Sequence, residues 1–139
     1  MSQPSSPVAV FVYGTLKQGQ RNFEVSRRAG WVRSERAWLE GFQIYHLPRA
    51  SERPYSYPAI VAGEGRVWGE VQYFADLEAA LVPLDALEDA GREYERVEVE
   101  ARRPDGGAVR VWTYVYPSLE AVRRVNGVLC PGGDWSDPA

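Results

Sequence analysis

One cysteine, one histidine and one methionine occur in 139 residues. The lone Cys130 has no intrachain partner, so no disulfide can staple this chain. A single His46 beside a single cysteine falls short of an ordinary zinc site. A protein without metal or cofactor is the expectation. Serine–histidine catalysis would have to pass through His46, which stands in the apolar stretch "YHLP" and is read as structural. Excess positive charge is missing too: 16 Lys and Arg stand against 19 Asp and Glu, a net charge of −3. That is the wrong sign for a general nucleic-acid binder. No apolar run approaches the length of a membrane span. The opening "MSQPSSPV" lacks the basic start and apolar stretch of a secretory signal. A soluble, cytoplasmic protein with no nucleic-acid or membrane partner is expected. "GTLKQG" (14–19) lacks the ending of a phosphate loop, and no GxGxxG occurs.

What is present suffices for a core. Hydrophobic residues make up 45% of the chain and charged ones 25%, a composition of ordered globular domains. One domain over 1–139 is expected, with an ordered core at about 8–130. Residues 8–13 form a short apolar run ended by Gly14 and read as a buried strand. "NFEVSRRAG" (22–30) reads as a short helix with Asn22 as N-cap and Gly30 as terminator. "ERAWLEGFQIYHL" (35–47) reads as two strands around a turn at Glu40-Gly41. "YSYPAIV" (55–61) is extended, 63–65 is a turn, and 66–74 is a central strand with both faces partly apolar. The segment 76–91 is helical. Pro83 divides it into two short helices or kinks one. Strand 94–101 alternates strictly, "PDGG" (104–107) turns, and 108–116 returns as its hairpin partner. Residues 118–125 form a last short helix, and the final nine are expected to be loose. Short turns rather than helical crossovers link the strands. The fold class is therefore α+β, a mixed, mostly antiparallel sheet curled toward a small β-barrel with short flanking helices.

Three places invite chemistry. At Tyr13-Gly14-Thr15-Leu16 a strand breaks on glycine. Its next N–H groups leave the ladder and can form a donor cluster for a carboxylate or oxyanion. The alternative is an ordinary strand-to-loop turn. In the helix, Leu77, Leu81, Leu84 and Glu88 follow 4, 3, 4 spacing on one face. Glu88 thus takes a position patterned for the core, where partial burial raises a carboxyl toward neutrality and suits it to general-base work. The alternative is a frayed helix end with Glu88 in water. Asp76, Glu78, Asp85 and Asp89 fall on polar faces and read as solvated. Glu70, mid-strand, is a third candidate, for which a structural pairing with Arg66, Arg96 or Arg110 on neighbouring strands is the favoured reading. Tyr94 and Arg96 share a strand face and either line a pocket or pack at a rim. Trp31, Trp38, Trp68, Trp112 and Trp135 read as core and rim.

These residues resemble the γ-glutamylcyclotransferase-like superfamily, and within it the γ-glutamylamine cyclotransferase and AIG2-like branch. The carriers are "VFVYGTLKQGQRN" (10–22), "YPAIV" (57–61), "VWGEVQYF" (67–74), "LDALE" (84–88) and "YERVEVE" (94–100), in the family's order. The resemblance implies a small β-barrel flanked by helices and a reaction without metal or cofactor. A γ-glutamyl amine or γ-glutamyl amino acid cyclises to 5-oxoproline and releases its amine. It implies that Glu88 is the catalytic glutamate and that Tyr13, Gly14, Thr15 and Leu16 hold the glutamyl moiety; Tyr94, from its strand face, is expected as a further substrate-binding residue. A small γ-glutamyl substrate is then the partner, and the protein a monomer or homodimer. Two positions depart from the family's habit: Asp89 stands where glycine often follows the glutamate, and Phe23 where histidine often follows Asn22. A non-catalytic ligand-binding or protein-interaction module on the same fold is the competing function.

Overall fold

The computed structural model describes residues 6–51 and 54–135. The first five residues of the polar N-terminal stretch and the last four of the chain lie outside them. The elements in order are β1 (Ala9–Val12), α1 (Phe23–Arg28), β2 (Trp31–Leu47), β3 (Tyr57–Phe74), α2 (Leu77–Glu88), β4 (Glu95–Arg102), β5 (Ala108–Val115), α3 (Leu119–Arg124) and β6 (Val128–Leu129). The strands run in the order β3-β1-β5-β4-β2-β6, and β2 also pairs with β3. That extra pairing closes five strands into a barrel and leaves β6 on its outside edge. Among the named strands, β1 and β5 pair in parallel and the other pairs are antiparallel. The barrel is therefore mixed and mostly antiparallel, as the turn-linked strands imply.

Strand β1 explains its own composition. All four residues are buried. Ala9 and Phe11 join the core cluster that also holds Leu39, Ile44, Ile60, Val71 and Val111. Val10 and Val12 join a second cluster with Leu81 and Leu84 of α2 and Val122 of α3. A strand between two apolar layers has no polar face, so no alternation is seen in it.

The two long strands differ from expectation. Residues 35–47 are not two strands around a turn but part of one 17-residue strand. Gly41 has φ +84 and sits in a bulge: Glu40 pairs with Arg66, but Phe42 pairs with Ala62. One residue on β2 thus faces three on β3, which absorbs "GEG" (63–65) inside a strand rather than at a turn. The bulge bends both strands, as closure of a small barrel requires.

Helix α1 starts after Asn22, whose side chain makes no capping bond. It donates instead from Nδ2 to Thr15 Oγ1 at 3.0 Å. Gly30, with φ +98, ends the helix region as expected. Helix α2 is one 12-residue helix that runs through Pro83. Asp76 is its N-cap rather than a merely solvated acid, accepting from Ala79 N at 3.1 Å. Ser118 caps α3 in the same way.

The described part of the C-terminal segment is anchored, against expectation. Trp135 is buried in the barrel cluster, and its Nε1 donates to His46 Nδ1 at 3.0 Å. Gly133 O accepts from Trp68 N at 2.7 Å. Lys17 Nζ donates to Trp135 O and pairs with Asp134 at 3.3 Å. His46 is thus structural: its Nδ1 is an acceptor, and it lines no part of the cavity described below. Trp31, Trp38, Trp68 and Trp112 are half-buried at the rim.

Candidate active site

A cavity of about 520 Å³ opens where the end of β1, the start of β3 and the end of α2 meet. That size suits a small molecule. Tyr13, Gly14, Thr15, Leu16, Glu88 and Tyr94 all line it. The structure therefore brings together every residue singled out for the site by motif or spacing. Arg96 and Glu70 do not line it.

The loop after β1 is held from below. Gln72 is fully buried, and its Nε2 donates to Leu16 O at 2.9 Å and to Glu70 Oε1 at 3.0 Å. Its Oε1 accepts from Ser26 Oγ at 2.7 Å. Glu70 Oε1 also accepts from Gln18 N at 2.8 Å. Glu70 thus braces the loop and pairs with none of the expected arginines. Arg66 pairs with Glu40, Arg96 with Asp85 and Arg110 with Glu98. Thr15 is clasped twice by Asn22, whose backbone N also donates to Thr15 O at 2.8 Å. Among the described residues, the N–H groups of Thr15 and Leu16 have no hydrogen-bond acceptor. They belong to a fixed loop on the cavity wall, the arrangement that favours an anionic oxygen.

Gly14 has a second reason to be glycine. A Cβ there would lie 2.4 Å from Pro58 Cγ. The expected role, room for a ligand, is joined by a close approach of backbone to the Pro58 ring. Pro58 O in turn accepts from Tyr94 OH at 2.7 Å. Tyr13 OH donates to Tyr114 O at 2.7 Å. Burial first, and neighbouring acidic groups next, push both phenols far above their ordinary range. They stay protonated and act as fixed donors to backbone carbonyls.

Glu88 occupies the end of the face formed by Leu81 and Leu84, both buried. It is half-buried and lines the cavity. No hydrogen bond to it is found among the described residues. Removal from water, and then the charge of Glu93, push its carboxyl up to about 8. The frayed-end alternative therefore does not hold.

Glu93 is a second cavity carboxyl that sequence patterning missed. Helix α2 ends on Asp89 in the left-handed conformation, φ +50. Aspartate is among the few non-glycine residues that tolerate it. The chain then reverses: Ala90 N donates to Asp85 O at 2.9 Å and Glu93 N to Asp89 O at 3.0 Å. Glu93 is carried back to the wall that holds Glu88. Its Oε2 accepts from Tyr57 OH at 2.6 Å and Tyr116 OH at 3.1 Å. The turn glycine Gly91 was the available signal. Arg21 also lines the cavity, donating from Nη2 to Ser56 O at 3.1 Å with its guanidinium 4.5 Å from the Tyr55 ring centre.

Tyr94 and Arg96 part company. Arg96 lies outside the cavity, its guanidinium carbon 4.3 Å over the Trp112 ring and its Nε 2.9 Å from Asp85 Oδ1. Asp85 is therefore engaged rather than solvated, and it also accepts from Tyr114 OH at 2.7 Å.

Residues 10–137 match the family model described as gamma-glutamyl cyclotransferase, AIG2-like. A Vibrio cholerae protein named "Putative gamma-glutamylcyclotransferase" is 34% identical over 126 residues, 91% of this chain and 93% of that one. The gamma-L-glutamyl-butirosin B gamma-glutamyl cyclotransferase of Niallia circulans is 28% identical, with 77% of this chain and 65% of that protein covered. In structure, an AIG2-like protein of Mus musculus superposes with a TM-score of 0.64 at 23% identity, over 83% of this chain and 82% of that one. The barrel, the loop after β1 and the two sequence relatives agree: this chain belongs to the AIG2-like gamma-glutamyl cyclotransferase family.

Proposed function

We propose that the protein cyclises a γ-glutamyl amine or γ-glutamyl amino acid to 5-oxoproline and releases the amine, without metal or cofactor. One observation carries this reading. Glu88 is a carboxyl without a hydrogen-bond partner among the described residues, raised to about 8, on the wall of a cavity of small-molecule size. A carboxyl raised in this way is a stronger base than an ordinary carboxylate, which lowers the cost of taking a proton from an amine and still lets it return the proton later.

Both reacting groups belong to one substrate, so the cavity's task is to hold a folded conformer. Glu88 as carboxylate takes a proton from the α-ammonium. The freed lone pair forms the N–C bond to the γ-carbonyl carbon, and the carbonyl electron pair moves to oxygen. The N–H groups of Thr15 and Leu16 are suited to that oxyanion. Glu88, now the acid, protonates the leaving nitrogen as the old C–N bond breaks. The attacking nitrogen sheds its second proton on becoming the lactam N–H, and the released amine takes it up and leaves as an ammonium.

The test is a panel of γ-glutamyl compounds incubated with the purified protein, 5-oxoproline being measured by mass spectrometry. The panel includes γ-glutamyl-ε-lysine, γ-glutamyl dipeptides and glutathione. Release of 5-oxoproline from at least one class is the expected result. Its absence from every class contradicts the reading.

A further inference from the structure

Among the described residues the cavity has two carboxyls, Glu88 and Glu93, and the proposed chemistry uses one. Glu93 is fixed where it stands. The left-handed turn at Asp89 and the bond from Glu93 N to Asp89 O bring it back beside the end of α2. Tyr57 at the start of β3 and Tyr116 after β5 both donate to its Oε2. No hydrogen bond to Oε1 is found among the described residues. A clasp between two chain segments needs only an acceptor, and a neutral amide would serve it without placing charge in the cavity.

We propose that Glu93 is the ammonium-binding residue of the site: its carboxylate receives the α-ammonium of the γ-glutamyl substrate and holds it beside Glu88. This rests on the cyclotransferase reading above. The charge arithmetic supports it. A cationic group entering a partly desolvated cavity needs an anionic partner; Glu88 gives up its charge on taking the proton, whereas Glu93 takes no part in that transfer. Hydrogen bonds to charged groups are stronger than those between neutral ones. Glu93 therefore sets which ligands enter, and those without a free α-ammonium are discriminated against at binding, before any chemistry. Its charge also bears on Glu88, so one substitution should move two independent readouts.

The experiment measures binding by calorimetry in Glu88→Gln, which blocks turnover, with and without Glu93→Gln. The paired probes are a γ-glutamyl alkylamide and the same amide lacking the α-amino group. Glu93→Gln keeps an oxygen for both tyrosines and removes only the charge. The expected result is at least tenfold weaker binding of the ammonium-bearing probe and less than twofold change for the other. In the otherwise unaltered enzyme, Glu93→Gln should raise KM and move the acid limb of kcat/KM to lower pH. A merely structural clasp moves neither the probe selectivity nor that limb. Equal effects on both probes overturn the proposal. So does a Glu93-intact protein that binds both equally, a result that needs no Glu93 variant to fold. If neither probe binds and no 5-oxoproline forms, the cyclotransferase reading itself fails.

Discussion

Gly14 and Pro58 touch so closely that the Cβ glycine lacks would lie 2.4 Å from Pro58 Cγ. The loop after β1 and the start of β3 are thus one packed unit. Gly14→Ala must displace the Pro58 ring or twist the loop. Overpacking of this kind costs about 1–3 kcal/mol. Urea denaturation should show that loss, and ligand affinity should fall with it, because Pro58 O also anchors Tyr94 OH. Unchanged stability would mean that the approach is looser than described.

Gln72 fixes the same loop from the other side. Replacing it with leucine leaves Ser26 Oγ and Leu16 O without their buried partner. An unsatisfied buried polar group costs about 1–3 kcal/mol. Gln72→Leu should therefore lower stability by at least that amount and raise KM, although Gln72 does not itself line the cavity. Gln72→Glu should also fail, since a carboxylate cannot donate to Leu16 O. Wild-type denaturation curves for both variants would contradict this account of the brace.

Asp89 holds φ +50 at the end of α2. The left-handed conformation costs ordinary residues roughly 1–2 kcal/mol, and most for β-branched ones. Asp89→Gly should leave stability and activity near the parent's. Asp89→Val should lower stability by about that cost and disturb the reversal that carries Glu93 to the cavity. Circular-dichroism melts of the two variants decide it. Equal melting temperatures would contradict the role assigned to the turn.

Raising Glu88 to about 8 makes stability depend on pH, and the sign is fixed. Below about 4.5 the carboxyl is protonated folded or unfolded. Between 4.5 and 8 only the unfolded chain ionises it, so stability falls as pH rises, by at most about 1.4 kcal/mol per pH unit. Above 8 the loss is complete. Glu88→Gln removes this slope. The stability gap between variant and parent should therefore widen in the variant's favour from pH 5 to pH 8 and then level. A gap constant across pH would show that the carboxyl is not held out of water.

Local patterns carried part of this account. The all-apolar β1, the 4, 3, 4 spacing that aims Glu88 inward and the "PDGG" hairpin are set by neighbouring residues, so they can be read without the fold. Gly41 could not be read so. A positive φ serves a hairpin turn or a bulge equally well, and only the pairing of β2 with β3 along their length selects the bulge. Glu93 escaped for a related reason. Its place depends on the reversal at Asp89 and on tyrosines distant in sequence. The last nine residues read as loose although Trp135 among them read as core or rim, because its anchor, His46, stands 89 residues away.

The most direct test of the central claim is 5-oxoproline release by Glu88→Gln against the parent, with Glu70→Gln as the control. General acid–base groups contribute about 10²–10⁴-fold to rate. Glu88→Gln should lose at least the lower figure while its melting curve stays cooperative. Glu70→Gln keeps an oxygen for Gln18 N–H and should stay within a few-fold of the parent. Near-parental turnover in folded Glu88→Gln, or its loss in folded Glu70→Gln alone, would contradict the assignment of Glu88 as the proton-transferring group.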